Sequence, residues 1–248
     1  MKNKHRLSSK PVALVTGAVS SLGSAISRKL AAQGFNLALH YGKSKIKTTE
    51  LKKILERTGV EVLLVQANLA DPQKSSKLVQ KVVSHWKRLD VVVNNAAVFE
   101  PTVLTADSIK KWNGVFNVNT FSPVSVAIAA RPWLEKSRGC VVNITDIYGE
   151  IPVLKEHAAY SASKAALIFL TRFLALSFGG AVRVNAVSPG VITFPDHYSS
   201  ARREKLAAKS ALKRQGTPDE IAEAVWFLTA NRFITGQILH VDGGRFIA

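Results

Sequence analysis

Apolar runs of four to six residues alternate along the chain with stretches whose apolar residues recur at helical spacing. Seven runs predict strands: Val12–Val15, Asn36–His40, Glu61–Gln66, Val91–Asn94, Gly139–Ile144, Arg183–Ser188 and Gln237–Val241. They are near-continuous rather than alternating, the pattern of strands covered by helices on both faces. Between the first two, Ser21–Gln33 places Leu22, Ile26 and Leu30 on one helical face, with Gly34 where a C-cap glycine belongs. Such alternation implies right-handed βαβ units. It predicts a single-domain, Rossmann-type doubly wound α/β fold, a seven-stranded, mostly parallel sheet with helices on both faces. Ligands in such a sheet sit at the carboxyl ends of the strands, so polar motifs there carry the most weight.

Composition sharpens this reading. The 248 residues, 47% of them hydrophobic, show no Ser/Gly/Pro-rich linker and no repeat, so residues 11–248 read as one domain behind a basic tail, residues 1–10. Nothing in that tail reads as a targeting segment, and no apolar run in the sequence predicts a membrane span. A lone cysteine, Cys140, excludes an internal disulfide framework and points to a cytoplasmic protein. The net charge of +17 is concentrated in the tail, in Lys43–Lys47 and in Ala201–Arg214. Aromatic residues do not interleave with these clusters, which argues against a single-stranded nucleic-acid surface and for steering of anions.

The first strand runs into Thr16-Gly17-Ala-Val-Ser20-Ser21-Leu22-Gly23 and then a helix. A small-residue turn opening a helix offers free N–H groups and a partial positive charge to a pyrophosphate. Ser21 stands where such loops usually carry a middle glycine; its hydroxyl can bond a phosphate oxygen. After the second strand come His40, Tyr41, Gly42, Lys43 and Ser44, with no carboxylate before Glu50. A cofactor lacking the 2′-phosphate would call for an acid here, whereas Lys43 and Ser44 suit the 2′-phosphate of NADPH. Further along, Tyr160 and Lys164 are four residues apart in AAYSASKAALIFLTRFLALSF, on one face if that stretch is helical. A free phenol has a pKa of about 10, and a cation nearby is expected to bring it toward the working pH.

These elements, together with Asn94–Ala97, Asn119, Asp146, Pro189-Gly190 and Val241–Gly244, resemble the short-chain dehydrogenase/reductase family from Val12 to the C-terminus. The resemblance implies a homotetramer that binds NAD(P)(H), with Tyr160 as proton donor, Lys164 on the nicotinamide ribose and Asn119 behind a water relay. It places cofactor contacts on Gly17 and Ser20–Gly23, on His40, Tyr41, Lys43 and Ser44, and on Asn68 and Leu69. The remaining contacts fall on Asn95, Ala96 and Ala97, on Tyr160 and Lys164, and on Pro189, Gly190 and Ile192.

One departure is chemical. The family's catalytic serine lies 13 residues before the tyrosine, and here that position is Ile147. Asp146, one residue earlier, would come into register through a connection one residue longer; its bland reading is a cap on the next turn. An aspartate there, with Ser21 in the loop, resembles the pteridine reductase and dihydromonapterin reductase branch. LALHYGKSK, NNAAVFEPT and VDGGRFIA support the same branch. The resemblance implies a pterin substrate bound by Phe99, Asp146, Tyr148, Tyr160 and Phe194, with a flap from Ile192 to Lys213. No metal is implied. The alternatives are reduction of another carbonyl, such as a 3-oxoacyl thioester, and a non-catalytic nucleic-acid-binding protein.

Overall fold

A computed structural model describes residues 9–105, 108–194 and 198–248; residues 1–8 of the basic tail and 195–197 of the expected flap fall outside them. Seven strands form one sheet: β1 (Val12–Val15), β2 (Asn36–Tyr41), β3 (Val62–Gln66), β4 (Val91–Asn94), β5 (Cys140–Ile144), β6 (Arg183–Pro189) and β7 (Ile238–Val241). Their order is β3-β2-β1-β4-β5-β6-β7, and every registered pair is parallel, so the expected "mostly parallel" sheet is wholly parallel among the described residues. Strand order reverses between β1 and β4, which opens a crevice at their carboxyl ends.

Residues along each strand feed two apolar layers in turn. Ala13 and Val15 pack with α1 (Ser21–Ala32), α2 (Lys45–Glu56) and the helix Pro218–Ala230. Val12 and Leu14 pack on the other face with α3 (Pro72–Trp86), α5 (Ser122–Ser137) and α6 (Ala158–Phe178). Two faces of burial explain why the strands read as continuous apolar runs. Helix α1 ends one residue earlier than the periodicity suggests, with Gln33 as C-cap and Gly34 at φ +83°.

Two local features bear on the site and the surface. Asn119 lies in a five-residue π-turn, Asn117–Phe121, between α4 (Ile109–Phe116) and α5. Helix α6 is by length and composition apolar enough to cross a membrane, although the sequence reading found no such run. Periodicity separates its faces: Tyr160, Lys164, Leu167, Thr171, Leu174 and Phe178 are buried. Phe169, Phe173 and Leu176 stand on the other side, at 66%, 54% and 81% exposure.

Candidate active site

A cleft of about 960 Å³ lies over the carboxyl ends of the strands. At one end it is lined by Gly17, Ser20 and Leu22 of the β1–α1 loop, by His40 and Gly42 after β2, and by Asn68 and Leu69 after β3. Asn95, Ala96 and Ala97 continue the wall after β4. Asp146, Tyr148, Tyr160 and Lys164 form the other end, with Phe99, Pro189, Gly190, Ile192 and Phe194 around them. Eighteen sequence-indicated residues thus meet in one cleft. Ser21, Gly23, Lys43, Ser44 and Asn119 do not line it, and neither does Tyr41, which is 6% exposed within the sheet. Strand alternation sends His40 toward the loop and Tyr41 away from it.

The β1–α1 loop is held by neutral side chains. Ser20 Oγ accepts from Gly23 N at 3.0 Å and donates to Gly17 O, capping α1. Asn95 Nδ2 donates to Thr16 O, Gly17 O and Ser20 Oγ at 2.9–3.1 Å. Gly17 takes φ +61°, and a Cβ on Gly23 would stand 2.3 Å from Gly17 O, so the turn and the helix close on each other only with glycine at both places. Among the described residues, the N–H groups of Ser21 and Leu22 find no intramolecular acceptor. Exposed Ser44 occupies the N-cap position of α2 without bonding the helix with its hydroxyl, and exposed Lys43 precedes it. Free N–H groups, a glycine cradle and a basic hydroxyl-bearing corner fit the pyrophosphate and 2′-phosphate of NADPH. Asn68 Oδ1 accepts from Ala70 N, so that oxygen shapes its own loop and keeps one lone pair for an adenine amino group.

At the opposite end, Asp146 does two things. Its Oδ1 accepts from Tyr148 N at 2.9 Å, capping the short 3₁₀ turn Ile147–Gly149. Its Oδ2 accepts the hydroxyl of Tyr160 at 2.7 Å. The turn reaches this register because Gly149 lies flat on α6: a Cβ there would stand 2.7 Å from Ala165 N. Ile147, at the serine's usual spacing, is fully buried in the core. Lys164 is 2% exposed and donates from Nζ to Ile144 O at 2.7 Å. Asn119 is likewise committed, exchanging bonds with Val98 and donating to Ser163 Oγ.

The comparisons with known proteins fit this geometry. The family model described as "Enoyl-(Acyl carrier protein) reductase" matches residues 17–245. The 3-oxoacyl-[acyl-carrier-protein] reductase FabG of Staphylococcus aureus is 33% identical over 241 residues, covering 95% of this chain and 98% of the relative. The chain belongs to the short-chain dehydrogenase/reductase family. A further relative of this reductase is the 3-oxoacyl-[acyl-carrier-protein] reductase of Synechocystis sp., at 33% identity over 238 residues, covering 94% of this chain and 96% of that one. A blue fluorescent protein from a metagenomic library, solved in complex with NADPH, superposes with a TM-score of 0.88 at 32% identity, covering 95% of this chain and 97% of its own.

The electrostatics of this reductase correct one expectation. The Tyr160 hydroxyl is pushed well above its ordinary value, by burial first and by Asp146 next. The expected acidification by Lys164 is not seen, because burial disfavours the phenolate and the Asp146 carboxylate that accepts its hydrogen bond would repel it. Asp146 is raised to about 6, by burial against the opposing pull of Tyr148 N–H, Tyr160 and Lys164. Burial lowers Lys164 to about 8, with Asp146 opposing. Asp146 and Lys164 are therefore the groups that titrate on either side of neutral pH.

Sequence reading missed His157, at the start of α6. Its ring stacks on Phe99 at 4.0 Å and 12°, while Phe99 meets the edge of Tyr160 at 4.7 Å. Phe99 keeps 45% exposure although His157 covers one of its faces. No periodicity marks a single histidine before a helix, so only the fold reveals it.

Proposed function

We propose that this reductase is NADPH-dependent and delivers hydride to the C=N bond of a dihydropterin ring. The observation carrying the reading is the Tyr160–Asp146 bond, made one residue before the position, Ile147, at which the family's serine is expected. A serine hydroxyl donates to a ketone oxygen, whereas an ionised carboxylate there would repel the oxyanion that forms. A ring nitrogen needs a proton instead, and an acid titrating at about 6 beside a phenol can supply one. NADPH would supply the hydride, held by the β1–α1 loop, Lys43 and Ser44. Tyr160 donates its proton to the substrate nitrogen as the neighbouring carbon accepts hydride. Asp146, when protonated, restores the Tyr160 proton, and Phe99 fixes the plane of the ring.

The relatives named for 3-oxoacyl-carrier-protein reduction support a second reading, in which the substrate is a 3-oxoacyl thioester. NADPH oxidation with 7,8-dihydromonapterin, 7,8-dihydrobiopterin and acetoacetyl thioester separates the two, with NADH in parallel. Turnover of a dihydropterin with NADPH alone is expected. Turnover of only the thioester would transfer the assignment to the second reading. The exposed apolar stripe of Phe169, Phe173 and Leu176 on α6 supports assembly with further copies of the chain. Light scattering of wild type and Phe173→Glu tests this, with a smaller species expected for the variant.

A further inference from the structure

His40 lines the cleft, and the sequence assigns it to the cofactor, yet neither ring nitrogen is free. Nδ1 accepts the N–H of Gly17 at 3.1 Å, and Nε2 lies 3.2 Å from Ala67 O. The main chain adds a third tie, Ala18 N donating to His40 O at 3.1 Å. Only one tautomer satisfies both ring contacts: Nδ1 must be bare to accept, so Nε2 carries the proton and donates to Ala67. The side chain is 3% exposed. It therefore joins the β1–α1 loop, the end of β2 and the start of the β3–α3 connection.

Gly17 is gripped on both sides of its own residue, at N–H by His40 and at C=O by Asn95. It holds these bonds at φ +61°, a conformation open to glycine. The grip on the carbonyl side also reaches Ser20, which caps α1. A shift of Gly17 would thus move the loop that carries the unbonded N–H groups of Ser21 and Leu22.

We propose that His40 is a positioning residue, not a cofactor contact. As a neutral Nε2–H imidazole it presets the dinucleotide loop, and its protonation releases that loop. The inference rests on the NADPH reading above for its functional consequence, but the clamp itself does not. A doubly protonated ring would set an N–H against the N–H of Gly17, leaving two donors facing each other. Burial lowers the imidazole below its ordinary 6.5, with the bond to Ala67 opposing, so release belongs to acid conditions. Thr16–Ala18 of the β1–α1 loop, Ala67–Leu69 of the β3–α3 connection and Val65, its partner on β3, bring no charged group. Tyr41, beside it on β2, is the one titratable neighbour in these segments, and it points to the other face of the sheet.

The test uses the full chain and two variants, His40→Gln and His40→Leu. A glutamine amide carries both an acceptor and a donor, so it can keep the two contacts without titrating; leucine keeps neither. Hydrogen exchange of the Gly17 amide in the ligand-free protein is measured first. Exchange at least tenfold faster in His40→Leu, near wild type in His40→Gln, is expected. Calorimetric NADP⁺ affinity from pH 8 to pH 5 follows. Wild type is expected to weaken about tenfold more than His40→Gln over that range, which removes the ligand's own phosphate titration from the difference. His40→Leu should bind about tenfold more weakly already at pH 7.5. Coincident wild-type and His40→Gln profiles, or unchanged Gly17 exchange in folded His40→Leu, would overturn the clamp. Absence of NADP⁺ binding by wild type would instead sink the NADPH reading, with the exchange data still deciding the clamp.

Discussion

At the β1–α1 end of the cleft every side-chain contact is neutral. Gly17 is held between His40 and Asn95, Ser20 caps α1, and the N–H groups of Ser21 and Leu22 are left without a backbone acceptor. At the β5–α6 end three ionisable groups share one wall: Asp146 bonds Tyr160, and Lys164 lies 5.6 Å from the Tyr160 ring. The first end is a scaffold whose donors are fixed before any ligand arrives. The second is an electrostatic set in which moving one proton changes all three groups. Side-chain substitution should therefore be graded across the cleft, severe at Tyr160 and Asp146 and mild at Ser21.

The largest effect belongs to Tyr160→Phe. Removing the proton donor should lower kcat about 1,000-fold, while the NADP⁺ dissociation constant stays within about threefold. Stopped-flow turnover beside calorimetric titration reads the two quantities separately. Equal losses in both would show that the charged end also holds the cofactor and would erase the contrast.

Asp146→Asn comes next, with kcat falling about 100-fold. It also carries a pH signature. If protonated Asp146 restores the Tyr160 proton, wild-type kcat should decline as pH rises through about 6, and the variant should lack that limb. Stability moves the same way for a related reason. The folded protein holds the Asp146 proton up to about 6, against 3.8 in the reference state, so its contribution is complete below 3.8 and lost as pH rises through 6. Above pH 6 the buried carboxylate costs on the order of 2–3 kcal/mol. Denaturant unfolding should accordingly find Asp146→Asn more stable than wild type at pH 8, with the gap closing toward pH 4.

What the sequence disclosed follows the same division. Strand positions were legible because burial on two faces leaves an apolar run, and Tyr160 and Lys164 because a single helix carries both. Asp146 could be placed only by allowing a longer connection, and the structure supplies the cause in Gly149 lying against α6. Lys164 as acidifier of Tyr160 failed because burial disfavours the phenolate first and the Asp146 carboxylate opposes it next, and spacing along a chain reports neither. His40 and His157 were invisible in their actual roles, since each works by a contact across the fold: His40 to Gly17, and His157 to Phe99.

Lys43→Glu tests the basic corner between these extremes. A carboxylate facing a 2′-phosphate in place of an ammonium should weaken NADP⁺ binding about 30-fold. NAD⁺ binding should change little, so the ratio of the two dissociation constants is the quantity to measure. Salt should narrow the ratio, because Lys43 is exposed and its field is screened. A ratio that does not move would mean that the phosphate is held elsewhere.

Ser21→Gly should have the smallest effect, and it is the most direct probe of the scaffold. Ser21 is exposed, opens α1 and makes no side-chain hydrogen bond among the described residues. Its N–H, unlike its hydroxyl, is part of the preset cradle, and glycine keeps that N–H. The added backbone freedom costs a helix at most about 1 kcal/mol, and less at its first residue. NADP⁺ affinity is therefore expected to stay within about threefold of wild type, and the unfolding midpoint to drop slightly. A tenfold loss of affinity would show the hydroxyl bonding a phosphate oxygen, making Ser21 a ligand-binding side chain in its own right. The loop would then recognise the cofactor through a substituted glycine position as well as through its main chain, and the neutral end of the cleft would be less tolerant than its contacts imply.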